Sequence, residues 1–130
     1  MPRPATPHPT DGELAILGVL WRHGSATVRR VHDELATRGG ASYTSVLKLM
    51  QIMHEKGHVR RDERERSHVY SPAVRQGDTQ RSLVRDLLDR AFDGSAARLV
   101  IGALSAKPAS ADEIAEIRRF LDDAERGDQP

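Results

Sequence analysis

Residues 42–57 constrain the fold more than any other stretch, because residues typical of helix ends stand at both of its limits. Ser42 has a hydroxyl that can accept a hydrogen bond from a free amide in the first turn. Gly57 is the residue type that most easily leaves a helix in the left-handed conformation. Between these ends, apolar residues recur at three- and four-residue spacing, and we expect them to face a core: Val46, Leu49, Met50 and Met53.

The opposite side of this predicted helix is polar. It carries Thr44, Lys48, Gln51 and Glu55, with Ser45 on the flank. A first turn rich in hydroxyl groups, followed by a lysine and a glutamine, suits a helix that enters the DNA major groove with its N-terminus first. Lysine favours the acceptors of guanine and glutamine pairs with adenine, so the pattern predicts a recognition helix.

Two shorter helices are predicted before it. Residues 10–13 have the spacing of a capping box and open a strongly apolar helix that Gly24 ends. Thr27 is the next N-cap candidate, for a helix running to Arg38. The apolar stripe of this second helix consists of Val28, Val31 and Leu35.

A charged hairpin is predicted after residue 57. Val59 on one side and Val69 with Tyr70 on the other flank a charged centre, which indicates two short antiparallel strands joined by a turn near residues 63–66. Three helices closed by such a hairpin have the order of a winged helix-turn-helix. We therefore predict a mainly α fold with a small β-hairpin, in which residues 10–72 form a winged-helix DNA-binding domain after a flexible lead-in at 1–9.

Residues 73–124 predict a separate helical domain. The first helix ends at Gly94, Ser95 can cap the second, and residues 110–113 form a capping box for the third. Their apolar faces are wide for so little protein, so a homodimer is the expected arrangement and a monomeric three-helix annex is the alternative. Residues 125–130 are predicted to be a flexible tail. The dimerisation candidates are Leu83, Val84, Leu87, Leu88, Phe92, Leu99, Val100, Ile101, Leu104, Ile114, Ile117 and Leu121.

Composition narrows the class of protein. The 130 residues are 38% hydrophobic and include no cysteine, which excludes disulfides, thiolate metal sites and cysteine nucleophiles. No apolar run approaches the ~20 residues of a transmembrane helix, and no signal peptide is evident, so we expect a cytoplasmic protein without membrane insertion.

Residues 1–72 carry 11 Lys and Arg against 8 Asp and Glu, whereas residues 73–130 carry 9 against 11. This polarity fits a basic nucleic-acid module followed by an acidic remainder, although ordinary solvated charge explains it equally well.

Several motifs together resemble the penicillinase-repressor family of bacterial regulators (BlaI/MecI/CopY type). They are Glu13–Trp21, Ala26–His32, Tyr43–Leu47, Glu55–Arg61, Val69–Pro72 and Arg81–Leu83, and their order and spacing match from about residue 10 to residue 123. The resemblance implies a homodimeric repressor that occupies a two-fold symmetric operator, often of β-lactamase or related resistance and stress genes.

The resemblance also shows where this chain departs from the family. In well-known members a membrane sensor-protease system triggers a cut at an Asn-Phe bond, but the matching stretch here is residues 99–103, Leu-Val-Ile-Gly-Ala. That cut is therefore not carried over, and no inducing protease is assigned. The copper-responsive branch uses a cysteine-rich tail, which this chain lacks. Many members have an arginine in place of Ile52, so Lys48 is the one basic residue between Ser42 and Glu55.

The predicted contacts to double-stranded operator DNA fall on three segments. The recognition helix offers base or phosphate contacts, and Tyr43 before it either touches a phosphate or packs in the core. Arginines of the hairpin would neutralise phosphates, and two on the second helix are weaker candidates. The DNA-binding candidates are Tyr43, Thr44, Ser45, Lys48, Gln51, Arg60, Arg61, Arg64, Arg66, His68, Arg29 and Arg30.

One motif points to a different function. His54-Glu55-Lys56-Gly57-His58 matches the H-E-x-x-H pattern of zinc peptidases, which needs both histidines on one continuous helix and a third ligand. Gly57 is expected to end the helix before His58, so we expect no enzyme, metal or cofactor. A regulatory metal or pH site among the six histidines is a minor alternative. The main rival from another class is a winged-helix protein-interaction module without DNA function.

Overall fold

The computed structural model describes residues 8–127 and divides into two compact units, which meet in the chain between Val84 and Arg85. The predicted lead-in and tail lie largely outside the described residues, and the predicted domain limits stay a prediction. Across residues 8–127, no helix combines the length and apolar character that a membrane crossing requires. The elements are α1 (Asp11–His23), β1 (Ala26–Thr27), α2 (Val28–Ala36), α3 (Tyr43–Lys56), β2 (Val59–Asp62), β3 (Val69–Pro72), α4 (Gln76–Ala91), α5 (Ala96–Ala106) and α6 (Ala111–Glu125).

The first three helices begin at the predicted caps. Thr10 and Glu13 form a complete capping box at α1, and the side chains of Thr27 and Ser42 accept amide hydrogen bonds at α2 and α3. Each cap satisfies an amide that would otherwise lack a partner. Helix α2 ends at Ala36, two residues before the predicted limit, because the chain turns there and the Gly40 amide donates back to the carbonyl of Leu35 at 3.0 Å.

The predicted hairpin is confirmed and is part of a larger sheet. Strands β2 and β3 are antiparallel, and β1 pairs with the other edge of β3, which gives the order β1-β3-β2. Strand β1 was not predicted, because two residues are too few to show an alternating pattern. Its pairing of Ala26 with Tyr70 ties the start of α2 to the hairpin.

One hydrophobic core holds the first unit together. It buries the predicted apolar faces of α1, α2 and α3 with Val59 and Tyr70 of the sheet. Leu49 also packs against this core, as predicted, although it is only half-buried. It lies beside α1, where a Cβ on Gly12 would lie 3.2 Å from its Cδ1 atom. After β3, the carbonyl of Val74 accepts a 3.1 Å hydrogen bond from Trp21 Nε1, and this bond attaches the start of the following segment to α1.

The second unit contains the remainder of α4 with α5 and α6. Helix α4 ends at Ala91, three residues before the predicted limit, and Gly94, with φ 77°, donates its amide back to the carbonyl of Leu88 at 2.8 Å. Ser95 caps α5, and Ser110 with Glu113 forms a capping box at α6, as predicted. Phe92 lies against Gly102, where a Cβ would approach its ring to 3.3 Å. Within the described residues 85–127, no side chain is fully buried.

Candidate nucleic-acid interface

Helix α3 presents its predicted polar face to solvent. Val46, Met50 and Met53 are at most 1% exposed, which fixes the rotation of the helix about its axis. The candidates on the opposite side are all exposed: Thr44, Ser45, Lys48 and Gln51. Ser45 also takes part in the N-cap, since its amide donates to Ser42 Oγ and its hydroxyl accepts from the same group.

Tyr43, the first residue of α3, is held by two side chains of α2. The guanidinium carbon of Arg29 lies 5.2 Å from the centre of the tyrosine ring, within the range of a cation–π contact. The ring of His32 meets the tyrosine edge-on, with 5.8 Å between the ring centroids. Tyr43 remains 38% exposed, so it is a surface residue that positions Arg29 next to the start of α3.

A cleft of about 370 Å³ separates α2 and α3 from the hairpin. It brings together six of the twelve DNA-binding candidates from three elements that are distant in sequence. The tips of Arg61 and Tyr70, which are paired across β2 and β3, line the same cleft. The six candidates along it are Arg29, Tyr43, Gln51, Arg61, Arg66 and His68.

The arginines of the hairpin differ in how far acidic neighbours neutralise them. Arg64 makes a bidentate contact with Asp62, with bonds of 2.7 to 3.1 Å, and this contact lowers the pKa of Asp62 to about 2. Arg61 donates to Glu63 at 2.6 Å, which lowers the pKa of that carboxyl. Hydrogen bonding to Tyr70 and Glu63 raises the pKa of Arg61. These carboxylates therefore stay charged at neutral pH and reduce the positive potential of their partners.

Arg66 and Lys48 have no acidic partner among residues 8–127, so their full charge is open to a ligand. Three other candidates point elsewhere. Arg30 contacts His23 Nδ1 at 3.3 Å, and Arg60 donates to the carbonyl of Pro72 at 3.4 Å. Neither these two nor Arg64 lines the cleft.

The peptidase motif is interrupted as expected. Helix α3 ends at Lys56, and Gly57 adopts the left-handed conformation with φ 86°. His58 then lies before β2 in the buried interior, 3% exposed, whereas His54 stays on the helix. The described part of the chain contains no group of three His, Cys, Asp or Glu side chains placed to hold a metal ion.

Two features of this region were missed by sequence reasoning. Ser67 and Thr27 also line the cleft, and β1 is what brings Thr27 next to the hairpin. Glu13 was predicted only as a capping residue, but it is 2% exposed and forms an ion pair with Lys56 at 2.9 Å. No local pattern reveals this pair, because its members are 43 residues apart.

Comparison with known proteins identifies the family of this chain. The model of the penicillinase repressor family matches residues 9–123. The chain is 32% identical over 118 residues to the transcriptional regulator BlaI of Mycobacterium tuberculosis, covering 90% of this chain and 85% of the relative. It is 25% identical over 117 residues to the penicillinase repressor of Bacillus licheniformis, covering 90% and 91%. A solution structure of the DNA-binding domain of the repressor BlaI is similar at 25% identity and a TM-score of 0.49, covering 56% of this chain and 92% of that one. The chain belongs to the penicillinase repressor family.

Proposed function

We propose that the protein is a transcriptional repressor that binds a two-fold symmetric DNA operator as a homodimer, and thereby blocks transcription by occupancy. The observation that carries this proposal is the cleft between α3 and the hairpin. Gln51, from the exposed face of α3, lines it together with Arg29 and Arg66, and this combination of a polar helix residue with two cations supports DNA binding. Family membership supports the same function, because the relatives are named as a transcriptional regulator and a penicillinase repressor.

The candidates on α3, of which Gln51 lines the cleft and Lys48 lies outside it, are expected to act differently from the arginines of the cleft. Lys48 and Gln51 project from α3 and suit contacts to base edges in the major groove, where each good bidentate pair discriminates by roughly 1 to 3 kcal/mol. Arg66 and Arg29 suit phosphates. Such contacts position the protein on the duplex without selecting a sequence. Lys48 is the one lysine of α3 without an acidic partner in the described part of the chain, because Lys56 is paired with Glu13. We therefore infer that the arginines supply much of the affinity and α3 supplies the choice of sequence.

A homodimer places two such surfaces on one duplex. In a two-fold dimer the recognition helices occupy half-sites one or two helical turns apart, which matches a palindromic operator. The support for dimerisation comes from the second unit, whose apolar side chains are left open to solvent. Those of this unit that remain substantially exposed are Leu87, Val100, Ile101, Phe120 and Leu121, and Val84, the last residue of the first unit, is exposed as well.

The experiment begins with footprinting on the region upstream of the protein's own gene. The protected duplex and a scrambled duplex of equal composition are then titrated with protein at several salt concentrations, from ~50 to ~200 mM, where counterion release has a large effect. We expect Lys48→Ala to lose discrimination between the two duplexes. Arg66→Ala and Arg29→Ala should weaken binding to both and reduce the salt slope by about one per lost contact.

Arg30→Ala is the matched control, because it removes the same charge one residue away from Arg29 without altering the cleft. We expect it to keep most of the affinity. Unchanged affinity and salt slope in Lys48→Ala and Arg66→Ala would remove this surface from the interface. The absence of salt-dependent binding in the unmodified protein would favour a protein-interaction module instead.

A further inference from the structure

A second cavity, of about 390 Å³, lies at the base of the hairpin and shares no lining residue with the cleft between α2, α3 and the hairpin. The segment after β3 and the first turns of α4 form one wall, and His58 forms part of another. All of its lining residues belong to the first unit. They are His8, Pro9, His58, Ala73, Val74, Arg75, Asp78, Thr79 and Ser82.

His58 is the feature of this cavity that lacks a structural explanation. Its backbone is fully paired, since its amide donates to the carbonyl of Met53 and its carbonyl accepts from Ala73, both at 2.9 Å. Its side chain is 3% exposed, and its Nε2 atom is buried without a hydrogen-bond partner. A buried polar nitrogen without a partner is unfavourable for folding, so such atoms are usually satisfied by a ligand or by ordered water.

The charges around the cavity favour an anion. Arg75 is exposed and has no acidic partner in the described part of the chain, whereas the carboxylate of Asp78 is already held by Arg81. The cavity also borders the first turn of α4, where unpaired helix amides favour negative charge. A cation is disfavoured for the same reasons, and residues 8–127 contain no metal-binding cluster of three ligands.

We propose that this cavity is a binding site for a small anion that carries a carboxylate or phosphate group. Arg75 supplies the positive charge, and His58 donates a hydrogen bond to an anionic oxygen. The hydroxyl of Ser82, which lies 3.3 Å from His8 Nδ1, donates to a second oxygen when His8 Nδ1 is the donor in their contact. A volume of about 390 Å³ accommodates inorganic phosphate or a short dicarboxylate together with some water.

The test titrates the full-length protein with inorganic phosphate and, separately, with succinate, while sodium chloride holds the ionic strength constant. The ring ¹⁵N resonances of the histidines and the heat of binding are measured together. We expect a saturable shift of the His58 resonance with at least one of the two anions. Saturation by phosphate alone or by succinate alone identifies which anionic group the site takes.

Arg75→Gln decides whether the cavity is responsible. It should weaken binding at least tenfold, because a charge-assisted hydrogen bond is lost. Arg85→Gln, a substitution of an exposed arginine within α4 that does not line the cavity, should leave binding unchanged. His58→Phe should abolish binding, and Arg75→Gln remains decisive if that variant fails to fold. No saturable shift, meaning water alone at His58, or equal binding by Arg75→Gln would overturn the proposal.

Discussion

The carboxylate of Glu13 has two structural roles at once. Its Oε1 atom accepts a 2.9 Å hydrogen bond from the amide of Thr10, which completes the capping box of α1. The Nζ atom of Lys56, at the end of α3, also donates to both carboxylate oxygens, at 3.1 and 2.9 Å. A single buried side chain therefore joins the start of α1 to the end of the candidate recognition helix.

This pair makes stability depend on pH. Burial raises the pKa of Glu13, but the hydrogen bonds from Lys56 and Thr10 outweigh burial and lower the pKa below its ordinary value of 4.5. A lowered folded-state pKa means that the stabilisation is present above the unfolded value and is lost as the pH falls through the folded one. We expect Glu13→Gln to lower the free energy of unfolding by roughly 1.5 to 3 kcal/mol at pH 7. Urea denaturation at pH 7 and at pH 4 and below should show the difference from the unmodified protein shrinking with acid.

Glu34→Gln serves as the control for that prediction. Glu34 accepts from Arg22 at 2.5 Å and from His23 at 2.8 Å, and these contacts lower its pKa to about 2. The cluster is at the surface, where water competes for the ions, so its loss should change stability less than Glu13→Gln does. Equal losses in the two variants would show that burial of Glu13 adds nothing.

Helices α1 and α3 both end at a glycine, and the end of α3 matters most for the site. Gly57, with φ 86°, places its amide near the carbonyls of His54 and Met53 and directs the chain into β2. A side chain is strained in this conformation, so Gly57→Ala should destabilise the fold by about 1 to 2 kcal/mol. Gly18→Ala, within α1, should instead stabilise by roughly 0.5 to 1 kcal/mol, because its Cβ meets nothing closer than 3.8 Å and glycine weakens a helix interior. Thermal unfolding of both variants measures the contrast, and a shift of the same sign in both would contradict it.

For the whole molecule, the outstanding question is what covers the apolar residues of the second unit. Helices α5 and α6 bury no side chain fully, and even the large apolar residues Ile101 and Phe120 are 64% and 70% exposed. Helices of this length gain most of their stability from burying an apolar face, so a partner copy is expected to supply the missing contacts.

Leu121→Glu tests this expectation, because Leu121 is 55% exposed on the apolar face of α6. We expect sedimentation equilibrium to show dimers of the unmodified protein and monomers of this variant, since a carboxylate is costly to bury in an apolar interface. Ala115→Glu adds the same charge to α6 away from that face and should remain dimeric. A monomeric unmodified protein would refute the homodimer. A folded Leu121→Glu variant that stays dimeric would instead exclude this face of α6 from the interface.

The sequence by itself determined the helices and their caps, because each depends on side chains only three or four residues apart, and it indicated the hairpin through two short apolar segments on either side of a charged turn. Ser42 and Gly57 set the limits of α3, and the spacing of its apolar residues set which face is exposed. Local patterns contain no information about contacts between distant segments. Tertiary structure alone decided that Glu13 pairs with Lys56, that Arg29 is held over Tyr43 while Arg30 turns away, and that His58 is buried beside a cavity. It also separated the candidate arginines that line the cleft from those that do not, because that depends on where β1 fastens α2 to the hairpin.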